Sequence, residues 1–192
     1  MRDSPAMASR LRVIAGEAKG LRLVAPPDAR PTTDRVREAL FSALGDRLTA
    51  VAVLDLYAGS GALGIEALSR GAAAAVLVDR DRRAVEACEE NLATTRLADR
   101  ARVVVRDVEV FLRQPPPPEA PFAVVFADPP YERTDAEVGE ALSRLQAPGW
   151  LSPGASVVLE RPSGAEAPKN GWQTGWERKY GDTLVTIVHV SD

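Results

Sequence analysis

Asp128, Pro129, Pro130 and Tyr131 follow directly on the apolar run FAVVFA (122–127), so a buried strand ends on an acid, two rigid residues and an aromatic ring. That set can hold an amine. The Asp128 carboxylate and the Pro129 carbonyl can each accept one N–H, the fixed φ angles of Pro129 and Pro130 keep the acceptors in place, and the Tyr131 ring offers a base a stacking face. An exocyclic amine is a poor nucleophile because its lone pair is delocalised into the ring, and orienting that lone pair is chemistry such a turn can supply. The plain alternative is a tight Pro-Pro turn with no chemistry.

A second constellation lies upstream. The run VLDL (53–56) passes straight into Tyr57, Ala58, Gly59, Ser60 and Gly61, and Gly64 completes a GxGxxG pattern where a strand meets a helix. Glycines there let a ligand approach the backbone, and the helix start offers unpaired N–H groups. Asp79 ends the next strand, twenty residues after Gly59, where a carboxylate can accept ribose hydroxyls. Asp107 follows the third strand and can accept from an adenine amino group; its plain reading is a helix N-cap. Arg80 and Val108, next to these two acids, complete the candidate cofactor contacts. A nicotinamide dinucleotide and S-adenosylmethionine both fit this geometry. Asp55 favours the second, since an acid inside the strand before the glycines would repel a pyrophosphate and suits an ammonium.

The elements that must position these residues read as an α/β sheet. The β-branched runs 51–56, 74–79, 101–105, 122–127 and 155–160 alternate with helical patterns, as expected of strands buried on both faces. Val85, Cys88 and Leu92 share one helical face, and Thr134 with Glu137 forms a capping box. GWERKYG and TLVTIVHV, joined by Gly181-Asp182, read as a closing β-hairpin. In front of the core, LRVIAG and GLRLVA suggest a small hairpin, followed by a helix from Thr33 to about Leu48. The expected organisation is a disordered stretch at 1–9 and one domain over 10–192, with an extension at 10–50 and the core at 51–192.

The net charge of −3 hides an asymmetry: nine Lys/Arg face six Asp/Glu in residues 1–50, and fifteen face twenty-one in the remaining 142. Arg10, Arg12, Lys19, Arg22, Arg35 and Arg37 lie in that basic leader and are candidates for gripping phosphates, against the alternative of an ordinary solvated surface. The single Cys88 excludes an internal disulfide and is read as a core residue. No metal-ligand cluster, signal peptide or membrane span is expected, which suggests the cytoplasm. His189 is alone in a terminal strand, so the residues an oxidoreductase would need are missing.

RVIAGEAKGLRL, RPTTDRVREALFSAL, VLDLYAGSGALGIEALSRGA, VDRDRRAVEACEENL and ADPPY together resemble the RsmD family of 16S rRNA guanine-N2 methyltransferases. The resemblance implies a Rossmann-like class I methyltransferase sheet of seven strands, mostly parallel with an antiparallel C-terminal hairpin, and S-adenosylmethionine as cofactor. It also implies a guanine of the type conventionally called 966 as target, and 16S rRNA or the small ribosomal subunit as partner of a monomeric enzyme. Cofactor roles would fall on Asp55, Tyr57 to Gly61, Asp79 and Asp107, and amine positioning on Asp128, Pro129 and Tyr131. DPPY is shared with DNA adenine-N6 methyltransferases, which stand as the alternative.

Overall fold

The computed structural model describes residues 11–26, 33–130, 134–165, 168 and 171–191. The apolar runs become strands β1 (Ala52–Leu56), β2 (Ala74–Asp79), β3 (Ala101–Val105), β4 (Phe122–Ala127), β5 (Leu151–Pro162), β6 (Trp172–Tyr180) and β7 (Thr183–Val190). They form one sheet in the order β3-β2-β1-β4-β5-β7-β6. The first five run parallel, and β7 is antiparallel to both β5 and β6, the hairpin expected at the end of the chain. The chain winds outward from β1 through β2 to β3 and returns to β4 on the other side of β1. Strand order therefore reverses between β1 and β4, and the crevice at their carboxyl ends is where such sheets bind ligands.

Helices α1 (Asp34–Leu44), α2 (Ala62–Ser69), α3 (Arg82–Thr95), α4 (Val108–Leu112) and α5 (Asp135–Leu145) cover the two faces. Val53, Val124, Phe126 and Val158 pack under α1, α2 and the leader, whereas Leu54, Leu56, Val125, Ala127 and Leu159 pack under α4 and α5. Successive residues of one strand thus serve opposite cores, which is why these strands read as unbroken apolar runs.

One of the two elements expected in the leader changes. The helix at Thr33 stops at Leu44, because Gly45 turns out of it with φ 54°, and Leu48 reaches the core on a 3-10 turn. The small hairpin is present: around the antiparallel bridge of Arg12 and Arg22, the Val13 N–H donates to the Leu21 carbonyl at 3.0 Å, the Leu23 N–H to the Leu11 carbonyl at 2.9 Å and the Gly20 N–H to the Val13 carbonyl at 2.8 Å. In the turn that follows, the Ile14 and Ala15 N–H groups face away from the partner segment and donate to the Glu66 carboxylate at 2.7 and 3.0 Å.

Glu66 is fully buried on α2 and is the anchor of the whole leader. Its carboxylate also takes the Arg70 Nε at 2.7 Å and lies 3.9 Å from Arg37 Nη1. Arg37 is itself fully buried and donates to the Arg12 carbonyl at 2.7 Å and to Asp34 at 2.8 Å. This removes Arg37 from the phosphate candidates: its guanidinium is committed inside the protein. Beside it, the Ser69 hydroxyl accepts from the Ala18 N–H and donates to the Ala15 carbonyl, and a Cβ on Gly16 would lie 1.7 Å from the Ser69 carbonyl oxygen. Glu66→Ala should lower unfolding free energy by about 3 to 5 kcal/mol, because it takes the acceptor from the Ile14 and Ala15 N–H groups and leaves Asp34, among the described residues, as the one carboxylate beside the buried Arg37. Hydrogen exchange at the Ile14 and Ala15 amides should accelerate in the same variant, and Glu66→Gln should cost less; unchanged protection of both amides would disprove the anchoring.

Candidate active site

Leu56 pairs with Ala127, so Tyr57 and Asp128 leave the sheet side by side at the strand-order reversal. Three positive φ angles, 60° at Tyr57, 55° at Gly59 and 74° at Gly61, swing the chain from β1 into α2. Two acids hold this loop. Asp55 Oδ2 accepts the Gly64 N–H at 2.8 Å, satisfying a donor of the first turn of α2, and Asp79 Oδ2 accepts the Gly59 N–H at 2.8 Å. The other Asp79 oxygen accepts from the Asp81 N–H at 2.9 Å.

The three glycines do different work. A Cβ at Gly61, where φ is also positive, would come within 2.8 Å of Leu77 and 2.9 Å of Cys88, and one at Gly64 within 3.1 Å of Leu77 and 3.2 Å of Asp55, so a side chain at either would crowd the helix against β2. A Cβ at Gly59 would meet nothing within 4 Å: this glycine faces open space, where a ligand can approach the backbone. Ala58 and Tyr57 are half-buried and Ser60 is buried. Cys88 lies beneath the loop with its thiol 3.2 Å from the Gly59 carbonyl, and burial pushes that thiol up, so it is inert.

Asn91 is not among the expected site residues. Its buried amide donates to the Ser60 carbonyl at 2.9 Å and to the Val24 carbonyl at 2.8 Å, and accepts from the Val24 N–H at 2.7 Å. One side chain thus joins the leader to the glycine loop. The detectable signal is a polar residue within the buried stripe Cys88, Leu92 and Thr95 of α3.

The other expected residues spread out. Asp107 caps α4, its Oδ1 accepting from the Glu109 and Val110 N–H groups at 2.9 and 3.3 Å. Val108 is buried in the core behind it, Arg80 is exposed, and Pro129 is half-buried and Pro130 exposed. Arg12, Lys19, Arg22 and Arg35 are exposed, with Arg12 paired to Asp34 at 3.1 Å. Arg10 and Tyr131 lie outside the described residues. Among the described residues no group of three or more His, Cys, Asp or Glu could hold a metal ion.

The crevice is strongly acidic. Burial, with the Asp79 charge adding to it and the Gly64 hydrogen bond opposing it, pushes the Asp55 carboxyl up to about 8. Burial first, then Glu160 and Asp55, push the Asp128 carboxyl well above the usual range. Below about pH 8 folded Asp55 holds a proton that the unfolded chain gives up near pH 4, so its contribution to stability falls as pH rises through that window. Asp55→Asn should remove this slope, on the order of a few kcal/mol between pH 4 and 8, in denaturant titrations. A variant with the wild-type slope would contradict the burial of this charge.

Residues 11–189 match the family model described as conserved hypothetical protein 95. The ribosomal RNA small subunit methyltransferase D of Escherichia coli K12 is 43% identical over 155 residues, 80% of this chain and 75% of the relative. The protein of the same name in Haemophilus influenzae is 36% identical over 161 residues, 82% of each chain. The solved structure of yhhF from Escherichia coli superposes with a TM-score of 0.83 at 37% identity, covering 94% of this chain and 98% of that one. The sheet with its antiparallel closing hairpin is a Rossmann-like class I methyltransferase fold, and the chain belongs to the conserved hypothetical protein 95 family, that of the RsmD methyltransferases.

Proposed function

We propose that this chain is an S-adenosylmethionine-dependent methyltransferase acting on the exocyclic N2 of a guanine in small-subunit rRNA, the position-966 type that the sequence resemblance implies. The observation that carries it is the meeting of an open glycine loop, the buried Asp55 and the Asp128-Pro129-Pro130 turn in one crevice at the β1/β4 reversal. The rRNA substrate is supported by the names of the Escherichia coli and Haemophilus influenzae relatives, which also disfavour the DNA adenine alternative. Such a substrate is met in the cytoplasm, as rRNA or in small subunits.

The donors present fit the cofactor. Asp55, neutral when buried alone, is a seat for an ammonium. Each Asp79 oxygen accepts one N–H and has a second lone pair for a ribose hydroxyl. Asp107, a carboxylate at the start of α4, can share its oxygens between the helix cap and an adenine amino group. When bound, S-adenosylmethionine supplies an electrophilic methyl on a sulfonium.

Everything else is positioning. Asp128 and the Pro129 carbonyl each accept one N–H of the target amine, and Tyr131 stacks on the base. A positive charge in the crevice favours the ionised carboxylate at Asp128, the form that accepts an N–H most strongly. As N2 gains the methyl it sheds one proton, which Asp128 can take and the Pro129 carbonyl cannot. Arg12, Lys19, Arg22 and Arg35 supply phosphate contacts.

Incubation with labelled S-adenosylmethionine and, separately, rRNA, small subunits and DNA, followed by nucleoside mass spectrometry, tests this reading. N2-methylguanosine is the expected product, and N6-methyladenine in DNA would refute it. Asp128→Asn should lower kcat about 100-fold or more with cofactor affinity nearly unchanged. Charge reversal at Lys19 and Arg22 should reduce the salt dependence of RNA binding by roughly 0.7 to 0.9 log units for every phosphate the variant no longer neutralises; an unaltered slope would put the RNA face elsewhere.

A further inference from the structure

The end of β5 brings a second carboxylate to the amine-holding turn. Phe126 pairs with Val158 and Ala127 with Leu159, which makes Asp128 and Glu160 the next neighbours across two parallel strands spaced about 4.8 Å apart. Side-chain alternation puts them on one face. Phe126 and Val158 belong to the core that Val53 and α2 share, Ala127 and Leu159 to the opposite core, so the following pair returns to the face opposite Ala127 and Leu159, that of Phe126 and Val158 displaced by one further step. Asp55, level with Phe126, is on that same face. Glu160 is half-buried, and its charge is the largest cause after burial for the raised Asp128 carboxyl, in keeping with their proximity.

We propose that Glu160 is the specificity residue of the target-base pocket, accepting the N1–H of the base whose 2-amine rests on Asp128. This deepens the guanine-N2 reading above and rests on it. Guanine presents two adjacent donor groups on its pairing edge, N1–H and N2–H₂, and two adjacent carboxylates match them. Adenine and cytosine each set a ring-nitrogen lone pair beside their exocyclic amine, and that lone pair would face the Glu160 carboxylate. Repulsion between the two then rejects those bases. The turn Asp128-Pro129-Pro130 recognises only an amine; Glu160 supplies the feature that tells one amine-bearing base from another. N1–H stays on the base throughout, and the proton released on methylation leaves from N2.

The test uses the full chain and RNA in which the target guanine is replaced by 2-aminopurine, which keeps the 2-amine but carries a lone pair at N1. Wild-type protein should prefer guanine by roughly ten- to a hundredfold in kcat/KM. Glu160→Gln, whose amide can donate to that lone pair, should lose activity on guanine while holding or gaining it on 2-aminopurine, bringing the ratio toward one. Glu160→Ala should lose the guanine preference without the gain. A structural role would lower both substrates together, so a variant that keeps the wild-type ratio overturns the proposal, as does wild-type protein indifferent to the replacement. N2-methylguanosine formed with an unchanged ratio removes Glu160 alone; no methylated guanine in any RNA removes the guanine-N2 reading and this proposal with it.

Discussion

The bond from the Gly64 N–H to Asp55 Oδ2 is the constraint around which the site is built. It ties the first turn of α2 to the interior of β1, so the eight residues between must form a tight loop, and Tyr57, Gly59 and Gly61 take positive φ angles to do so. It also fixes how near α2 lies to β2, because the approach leaves no room for side chains at Gly61 or Gly64 against Leu77. Holding a carboxylate there is unfavourable: burial outweighs the hydrogen bond, and the group stays protonated to about pH 8. The same acid is therefore a structural clamp when neutral and, under the proposed function, a cation seat when charged.

The leader depends on the core in a similar way. Glu66 on α2 takes the Ile14 and Ala15 N–H groups and Arg70, and Asn91 on α3 takes Val24. Both contacts come from helices that flank the glycine loop, and Asn91 touches the loop itself at Ser60. The basic segment is thus mounted on the elements that shape the cofactor crevice, on the same face of the sheet as Asp55. Under the proposed function, a phosphate backbone gripped by Arg12, Lys19 and Arg22 would be held by the scaffold that frames the candidate reacting groups, which would favour delivery of a base to Asp128 in one orientation.

The strands are legible in the sequence because parallel strands buried on both faces leave continuous apolar runs, and the capping box at Thr134 because its side chains act within one turn. Asp55, Gly59, Asp79 and Asp128 can be singled out because the chemistry each suggests is local to a strand end. The length of α1 is overestimated because Leu48 keeps the helical spacing while Gly45 has already ended the helix. The surface position expected of Arg37 fails because Glu66 is distant in sequence, and nothing local to the leader announces that an acid will take its N–H groups and face its arginine. Glu160 and Asn91 escape notice for the same reason. What each does is set by strand register or helix packing, and a glutamate closing VVLE has no local signature.

The acids of the crevice also explain how a single turn motif can serve different bases. Asp128, Pro129 and Pro130 present acceptors to an amine and carry no information about the ring atom beside it. In the proposal above that information comes from the neighbouring strand β5, at residue 160. A glutamate there raises the Asp128 carboxyl, a penalty in the empty crevice. The penalty is relieved when a cation fills the Asp55 side and a base edge with two donors covers the Asp128 side. Two acids side by side thus match a base edge that carries two donors and repel one that sets a ring lone pair beside its amine.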